Sequence, residues 1–172
     1  MKKVVTRFAP SPTGTLHIGG VRTALFNYVY AKQNDGLFLV RIEDTDKERS
    51  SKKFEKNILD SLNSIGLNPD LDPINQSERN DIYTAAAQKL IDSNQAYYCD
   101  CSVEELDKMR SDQQSRGQKP QYDGRSRDKN LLKSENTVLR LKTPLDGEVI
   151  VKDHVRGDIS FNNSELDDLI IL

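Results

Sequence analysis

The spacing of apolar residues near the amino terminus changes from a strand pattern to a helix pattern. Val4–Phe8 is a short apolar run that predicts a buried strand. The prolines and glycine of residues 9–14 predict a loop. From His17 onwards, apolar side chains recur at helical spacing, which predicts a helix ending near Lys32. Leu37–Ile42 is a second branched apolar run, so the segment has the order of a βαβ unit with a parallel strand pair.

The pattern that follows predicts further helices around the same sheet. A helix beginning at Ser50 or Ser51 carries apolar residues on one face and stops before Gly66. A short third strand is predicted at Ile74–Arg79, and an alanine-rich helix then runs to Ser93. We expect these helices to serve packing rather than chemistry.

The composition shifts near residue 80, and the second half predicts a different kind of structure. A strand at Ala96–Cys99 precedes a helix opened by the capping box Ser102–Glu105. A polar tract, Ser111–Asn130, follows this helix. The last third contains short runs that predict one small antiparallel sheet: Val138–Lys142, Glu148–Val151, Asp158–Phe161 and Leu169–Leu172.

Bulk composition limits the possible functions. With 172 residues and 35% apolar content, the chain can form one core or two small cores. The net charge of −2 excludes a global basic field, so any nucleic-acid contact must come from a local patch. Two cysteines do not make a disulfide framework. Without an apolar signal segment or membrane-length run, the sequence predicts a soluble cytoplasmic protein.

The start of the first helix is a candidate phosphate site. Helix-opening N–H groups carry partial positive charge, and Gly19 and Gly20 would let a phosphate approach the backbone, with His17 as a side-chain donor. Neither a Gly-x-Gly-x-x-Gly motif nor a P-loop lysine is present here. The alternative is a glycine-opened helix that His17 merely caps. A ligand crevice is expected at the carboxyl ends of parallel strands, which places the loop at 9–14 and the segment at 43–46 together.

Three carboxylates follow the second strand beside Arg41: Glu43, Asp44 and Asp46. A general acid/base pair would need a substrate between its members, and a metal site would need further ligands. From the residues alone, a solvated turn that caps the next helix is the simpler interpretation.

The segment Phe8–Leu25 resembles the signature of bacterial-type glutamyl-tRNA synthetases, a class I aminoacyl-tRNA synthetase family. It contains a His-Ile-Gly-His-like element in which Gly20 replaces the second histidine, as is usual in the glutamyl branch. The resemblance continues in the family's order through Arg41–Asp46, Gln76–Arg79, Tyr122–Arg125 and Leu166–Ile170.

This resemblance implies an α/β fold with two parts. Residues 1–80 would be the first half of a class I synthetase Rossmann-like nucleotide-binding fold. Residues 81–172 would be an inserted α+β acceptor-stem-binding domain, which in the family splits the nucleotide fold in two. The family's Lys-Met-Ser-Lys-Ser-like loop, the second nucleotide-binding half and the anticodon-reading domains have no counterpart in the sequence. We therefore expect a fragment that is catalytically poor alone.

The resemblance also implies a reaction and its site residues. ATP, accompanied by Mg²⁺, would activate L-glutamate as glutamyl-adenylate, and tRNA(Glu) would then accept the glutamyl group. His17 is the expected catalytic donor. Residues expected at ATP are Thr13, His17, Gly19 and Gly20. Residues expected at glutamate are Arg7, Ala9, Ser11 and Glu43, with Arg7 clamping a carboxylate and Glu43 taking the α-amino group. The parent enzyme would be monomeric and independent of membranes.

A basic stretch within the polar tract is the candidate RNA contact. Lys108–Lys129 carries seven basic and three acidic residues, a local net charge of +4. Arg116, Lys119 and Arg125 could contact phosphates, and Tyr122 could stack on a base. A solvated flexible loop is the alternative.

The pair Cys99 and Cys101 raises the possibility of zinc. Some members of the family complete a four-ligand zinc site with a cysteine and a histidine just beyond the Tyr-Asp-Gly-Arg motif. Here those two positions hold Ser126 and Asp128. We therefore predict no metal site and two ordinary reduced cysteines.

Two other functions remain open at this point. One is a paralogue that glutamylates a modified base on tRNA, the glutamyl-queuosine type, which shares the opening motif. The other is a non-catalytic tRNA-binding module that retains half of an ancestral site.

Overall fold

A computed structural model describes residues 3–172 of the chain. Their helices and strands, in chain order, are β1 (Val5–Phe8), α1 (Ile18–Gln33), β2 (Leu37–Ile42), α2 (Lys52–Ser64), β3 (Ile74–Asn75), α3 (Asn80–Asp92), β4 (Ala96–Cys99), α4 (Val103–Ser115), β5 (Val138–Leu141), β6 (Glu148–Asp153) and β7 (Gly157–Asn162). The chain divides into two compact units, one ending at Asp81 and one spanning Ile82–Leu172. No helix between residues 3 and 172 combines the length and hydrophobicity needed to cross a bilayer.

The first unit is a parallel three-stranded sheet in the order β1-β2-β3. Helix α1 connects β1 to β2, and α2 connects β2 to β3, as the βαβ pattern predicts. One face of the sheet is closed by both helices. Its core consists of Phe8, Phe38, Val40 and Ile42 from the strands, Ala24 and Ala31 from α1, Ile58 and Leu62 from α2, and Leu67 beyond it.

A close backbone approach joins α1 to the sheet. The N–H of Gly36 donates to Ala31 O at 2.8 Å, and Leu37 N donates to Val4 O at 2.8 Å. A Cβ atom at position 36 would lie 2.4 Å from Val4 O, so only glycine fits where the chain turns from α1 into β2.

The predicted third strand, Ile74–Arg79, is shorter than expected. Only Ile74–Asn75 pairs with β2, and Gln76–Arg79 forms a 3₁₀ turn. The cause is Asp44, whose carboxylate accepts the Ser77 N–H at 2.8 Å and the Ser77 hydroxyl at 2.6 Å. That carboxylate takes a backbone donor that a continued strand would have used in its ladder.

In the second unit, the prediction of one antiparallel sheet is wrong. β5 pairs with β4, and β6 pairs with β7 as a separate two-stranded hairpin. Residues 169–172 lie alongside β5 and form backbone hydrogen bonds with Leu139 and Leu141. Helix α4 extends to Ser115, so the first residues of the polar tract are helical.

A buried ionic network organises the second unit around Asp168, whose side chain is 3% exposed. Its carboxylate accepts hydrogen bonds from Arg127, from the Tyr97 hydroxyl and from the N–H and hydroxyl of Thr143. The Arg140 guanidinium donates to the Asp168 carbonyl at 2.7 Å. Burial alone would raise the pKa of Asp168, but the hydrogen bonds from Arg127, Tyr97 and Thr143 outweigh it and lower the pKa to about 2.

We predict that Asp168→Asn destabilises the second unit by about 3 kcal/mol at pH 7, because Arg127 is left as a partly buried cation without its counter-charge. The folded pKa lies below the ordinary value of 3.8, so the carboxylate stabilises the fold above about pH 4. This contribution is lost as the pH falls towards about 2.

Urea unfolding at several pH values measures this effect, with Asp128→Asn as the control because the Asp128 side chain is 97% exposed. The difference between wild type and Asp168→Asn should shrink from pH 5 to about pH 2. A difference that is independent of pH would contradict the assignment.

Candidate functional site

His17 forms the N-cap of α1. It has extended backbone geometry, and its Nδ1 accepts the Gly19 N–H at 3.1 Å. An acceptor Nδ1 means that the neutral ring carries its proton on Nε2. The side chain is exposed, so Nε2 is left to donate to a ligand at the start of the helix.

The two glycines that open α1 provide space for this arrangement. A Cβ atom at position 19 would lie 2.9 Å from His17 Cε1, and one at position 20 would lie 2.8 Å from Leu16 Cδ1. Glycine at position 19 therefore allows the ring to reach its capping position. The bare backbone also leaves the helix start open to an anionic group.

Three hydrogen bonds hold the loop that precedes His17. Pro10 O accepts the Glu43 N–H at 2.9 Å, and Pro12 O accepts the N–H of Ser51, the N-cap of α2, at 3.0 Å. The Leu16 N–H donates to Asn57 Oδ1 on α2 at 3.1 Å. The loop is thus tied to the end of β2 and to two positions on α2.

The loop and the start of α1 enclose a cavity of about 240 Å³. Its lining is Phe8, Pro10, Ser11, Thr13, Gly14, Thr15, Leu16, His17, Gly20 and Ile58. Four of the predicted site residues, Ser11, Thr13, His17 and Gly20, are therefore brought together. Gly19 is not part of this lining, but its N–H donates to His17, which is.

Three other predicted site residues in the described part of the chain do not line this cavity: Arg7, Ala9 and Glu43. Arg7 is exposed on β1, Ala9 follows the end of β1, and Glu43 follows the end of β2. The carboxylate of Glu43 pairs with Arg41, with 2.5 Å between Oε1 and Nη2. These residues lie at the carboxyl ends of neighbouring parallel strands, where α/β folds place their ligands.

Asp44 is a structural carboxylate that the sequence did not distinguish from its neighbours. Besides both Ser77 groups, it accepts from Asn75 Nδ2 at 3.2 Å. Burial raises its pKa, but the hydrogen bonds from Ser77 and Asn75 outweigh that effect, so its pKa lies below the usual range. Asp44 therefore stays charged and fastens the segment that carries Glu43 to the end of β3.

In the second unit, the structure places Tyr122, the residue predicted to stack on a base, in a packed position rather than on the surface. Tyr122 is 6% exposed, and the Arg140 guanidinium covers its ring at 3.9 Å from the centroid. Its hydroxyl accepts the Ser126 N–H at 3.0 Å and lies 3.4 Å from Cys99 Sγ. An aromatic ring enclosed in this way has no free face for a base.

Ion pairs neutralise part of the basic stretch. Four of its cations pair with carboxylates: Arg110 with Asp107, Arg125 with Asp123, Arg127 with Asp168 and Lys129 with Asp100. Arg116 instead donates through Nε to Asp112 O, and Lys119 donates to Glu165 O. Among the described residues, neither of these two cations has a carboxylate partner.

Cys99 and Cys101 are free thiols surrounded by hydroxyl groups. The Ser126 hydroxyl donates to Asp100 at 3.0 Å and lies 3.8 Å from Cys101 Sγ. Burial raises the pKa of Cys99, but hydrogen bonds led by Tyr122 lower it to about 7. Asp128 points into solvent, and residues 3–172 contain no group of three or more His, Cys, Asp or Glu side chains placed to hold a metal ion.

Comparisons with known proteins agree with this geometry. The sequence profile described as "tRNA synthetases class I (E and Q), catalytic domain" matches residues 3–172. The chain belongs to this family. The finding confirms the predicted synthetase family and its α/β fold class.

Relatives of this synthetase family match nearly the whole chain. "Glutamate--tRNA ligase 1" of Syntrophus aciditrophicus is 51% identical, over 99% of this chain and 36% of its own length. "Glutamate--tRNA ligase" of Oleidesulfovibrio alaskensis is 50% identical, over 99% and 37%. The crystal structure of glutamate-tRNA synthetase from Elizabethkingia anophelis superimposes with a TM-score of 0.85 at 39% identity, covering 98% of this chain and 39% of that chain. This chain thus spans little more than a third of the length of these synthetases.

We predict that Gly19→Ala displaces the His17 ring, because the new methyl group would overlap Cε1. Loss of the cap should destabilise the first unit by about 1 kcal/mol. Nitrogen-15 NMR should show a shifted His17 ring and faster hydrogen exchange at the amide of residue 19. Gly14→Ala is the matched control, since a Cβ there meets nothing within 4 Å. An unmoved His17 ring in Gly19→Ala would refute the prediction.

Proposed function

We propose that this chain is the N-terminal part of a glutamate–tRNA ligase, which attaches L-glutamate to tRNA(Glu) with the use of ATP. The observation that carries the proposal is the glycine-opened start of α1, where His17 caps the helix and presents Nε2 beside a cavity. The first unit would then be half of the nucleotide-binding domain, and the second unit the inserted acceptor-binding domain. The names of the related ligases support the same substrates.

In the first step, a carboxylate oxygen of glutamate attacks the α-phosphate of ATP. A P–O bond forms, the bond to the leaving pyrophosphate breaks, and glutamyl-adenylate remains. This step needs no protein nucleophile, so the residues act by positioning and charge stabilisation. His17 would donate from Nε2 as negative charge builds on the phosphate. Thr13 and the backbone at Gly19 and Gly20 would line the remaining phosphate and adenosine surface.

The glutamate substrate would lie at the carboxyl ends of β1 and β2. The exposed guanidinium of Arg7 can bind a carboxylate through two parallel hydrogen bonds. Glu43 would accept hydrogen bonds from the α-ammonium group, and its ion pair with Arg41 orients its carboxylate. Ala9 and Ser11 would complete the amino-acid pocket.

Mg²⁺ would accompany ATP and neutralise part of the triphosphate charge. We propose that the protein uses no zinc, because Ser126 and Asp128 replace two ligands of a four-ligand site and the Asp128 side chain is exposed to solvent. In the second step, a terminal ribose hydroxyl of tRNA takes the glutamyl group from the adenylate. The acceptor end of the tRNA would contact the second unit, where the candidates for phosphate binding are Arg116, Lys119 and Arg125. The whole enzyme would be a cytoplasmic monomer that does not bind membranes.

Glutamate-dependent ATP–pyrophosphate exchange with tRNA present tests this proposal. The 172-residue chain is assayed alone and mixed with the part of the Syntrophus relative that lies beyond its match. The matching Syntrophus segment with the same remainder is the positive control. We expect exchange in the mixture and little from the chain alone. No exchange in a mixture whose positive control works, with tRNA still bound, would favour the non-catalytic tRNA-binding module.

Two variants separate the proposed roles in that mixture. His17→Ala should slow exchange by roughly two to three powers of ten with glutamate affinity nearly unchanged, because only transition-state charge loses its donor. Arg7→Ala should instead raise the KM for glutamate. An unchanged turnover number in His17→Ala would remove His17 from the chemistry, and an unchanged KM in Arg7→Ala would remove Arg7 from the pocket.

A further inference from the structure

One side chain outside the recognised motifs holds the loop of the nucleotide site. Of the three hydrogen bonds that fasten this loop, two join backbone groups to Pro10 O and Pro12 O. The third is different, because Asn57 Oδ1 accepts the Leu16 N–H through a side chain. It can therefore be removed by substitution without changing any backbone donor or acceptor.

We propose that Asn57 is a positioning residue for this site: its side-chain oxygen fixes the backbone amide of Leu16 and thereby the location of the His17 ring. The fixed geometry is a property of this chain, whereas its consequence for ATP rests on the proposed function. Asn57 acts through Leu16 and is not itself one of the residues that line the cavity.

The location of Leu16 explains why this bond matters. Leu16 packs against the core of the first unit and also lines the cavity. It directly precedes the N-cap residue of α1, so a shift of its backbone would move His17. The next residue on α2 after Asn57 is Ile58, which is 2% exposed and also lines the cavity. The buried Ile58 fixes this part of α2 against the core, and the hydrogen bond from Leu16 to Asn57 ties the loop to it.

Removal of the Asn57 acceptor should release the loop. The Leu16 N–H would lose its partner in a partly buried place, and loop movement would be needed to hydrate it. The His17 ring would then sample other positions, and the anion-binding start of α1 would be less well organised. A carboxylate at position 57 keeps an acceptor at the same place, so aspartate should restore the bond.

Three variants of the 172-residue chain test the inference: Asn57→Ala, Asn57→Asp and, as matched control, Asn63→Ala. Asn63 is an exposed asparagine on the same helix. Nitrogen-15 NMR would follow hydrogen exchange at the Leu16 amide and the resonances of the His17 ring, and titration with Mg²⁺-ATP would give the affinity. Thermal unfolding would be recorded for each variant, to separate loss of the fold from local release of the loop.

We expect Asn57→Ala alone to lose protection at Leu16, to shift the His17 ring and to weaken Mg²⁺-ATP binding roughly three- to ten-fold. Asn57→Asp should keep all three properties near wild type. The inference would be overturned if Asn57→Ala leaves both the protection of the Leu16 amide and the His17 ring resonances unchanged. It would also be overturned if Asn57→Asp loses them. If Asn57→Ala does not fold, the comparison of Asn57→Asp with wild type decides. Absence of Mg²⁺-ATP binding by the wild-type chain would count against the proposed function. Hydrogen exchange at Leu16 and the His17 ring resonances would still decide the role of Asn57.

Discussion

The hydrogen bond from the Gly19 N–H to His17 Nδ1 is the interaction on which the proposed site depends. It uses one ring nitrogen for the cap and so assigns the proton of the neutral ring to the other. It also requires that residue 19 lack a side chain, since a Cβ there would overlap the ring. The two interpretations left open by the sequence, a histidine cap and a phosphate donor, are therefore compatible. One nitrogen serves the helix and the other faces the ligand space.

The surroundings of this cap show how a parallel sheet supports a site at one edge. The loop before His17 is tied to the end of β2 by Glu43 and to α2 by Ser51 and Asn57. Asp44 in turn fastens the neighbouring segment to the end of β3. Chemistry-bearing residues on loops are thus held by elements whose apolar faces form the core. Rigid support of this kind is what catalysis by positioning requires.

Sequence patterns predicted the first unit better than the second, for physical reasons. Buried parallel strands such as Leu37–Ile42 and glycine-opened helices have strong local signals. The segment Phe8–Gly20 also contains the motif from which a nucleotide site was predicted. The early end of the third strand depended on Asp44, which is 33 residues distant from Ser77. Tyr122 looked available in the sequence because its neighbours are polar, but Arg140 from a strand covers its ring. Likewise, Asn57 has no local signal, since its partner Leu16 is 41 residues away.

The most direct test of the central claim is a crystal structure of the chain with a non-hydrolysable glutamyl-adenylate analogue, such as a glutamyl-sulfamoyl adenosine. The account predicts that the group replacing the phosphate lies about 3 Å from His17 Nε2 at the start of α1, with Nδ1 still accepting from Gly19. Binding elsewhere on the molecule, no occupancy at saturating concentration, or a His17 ring turned away from the analogue would contradict it.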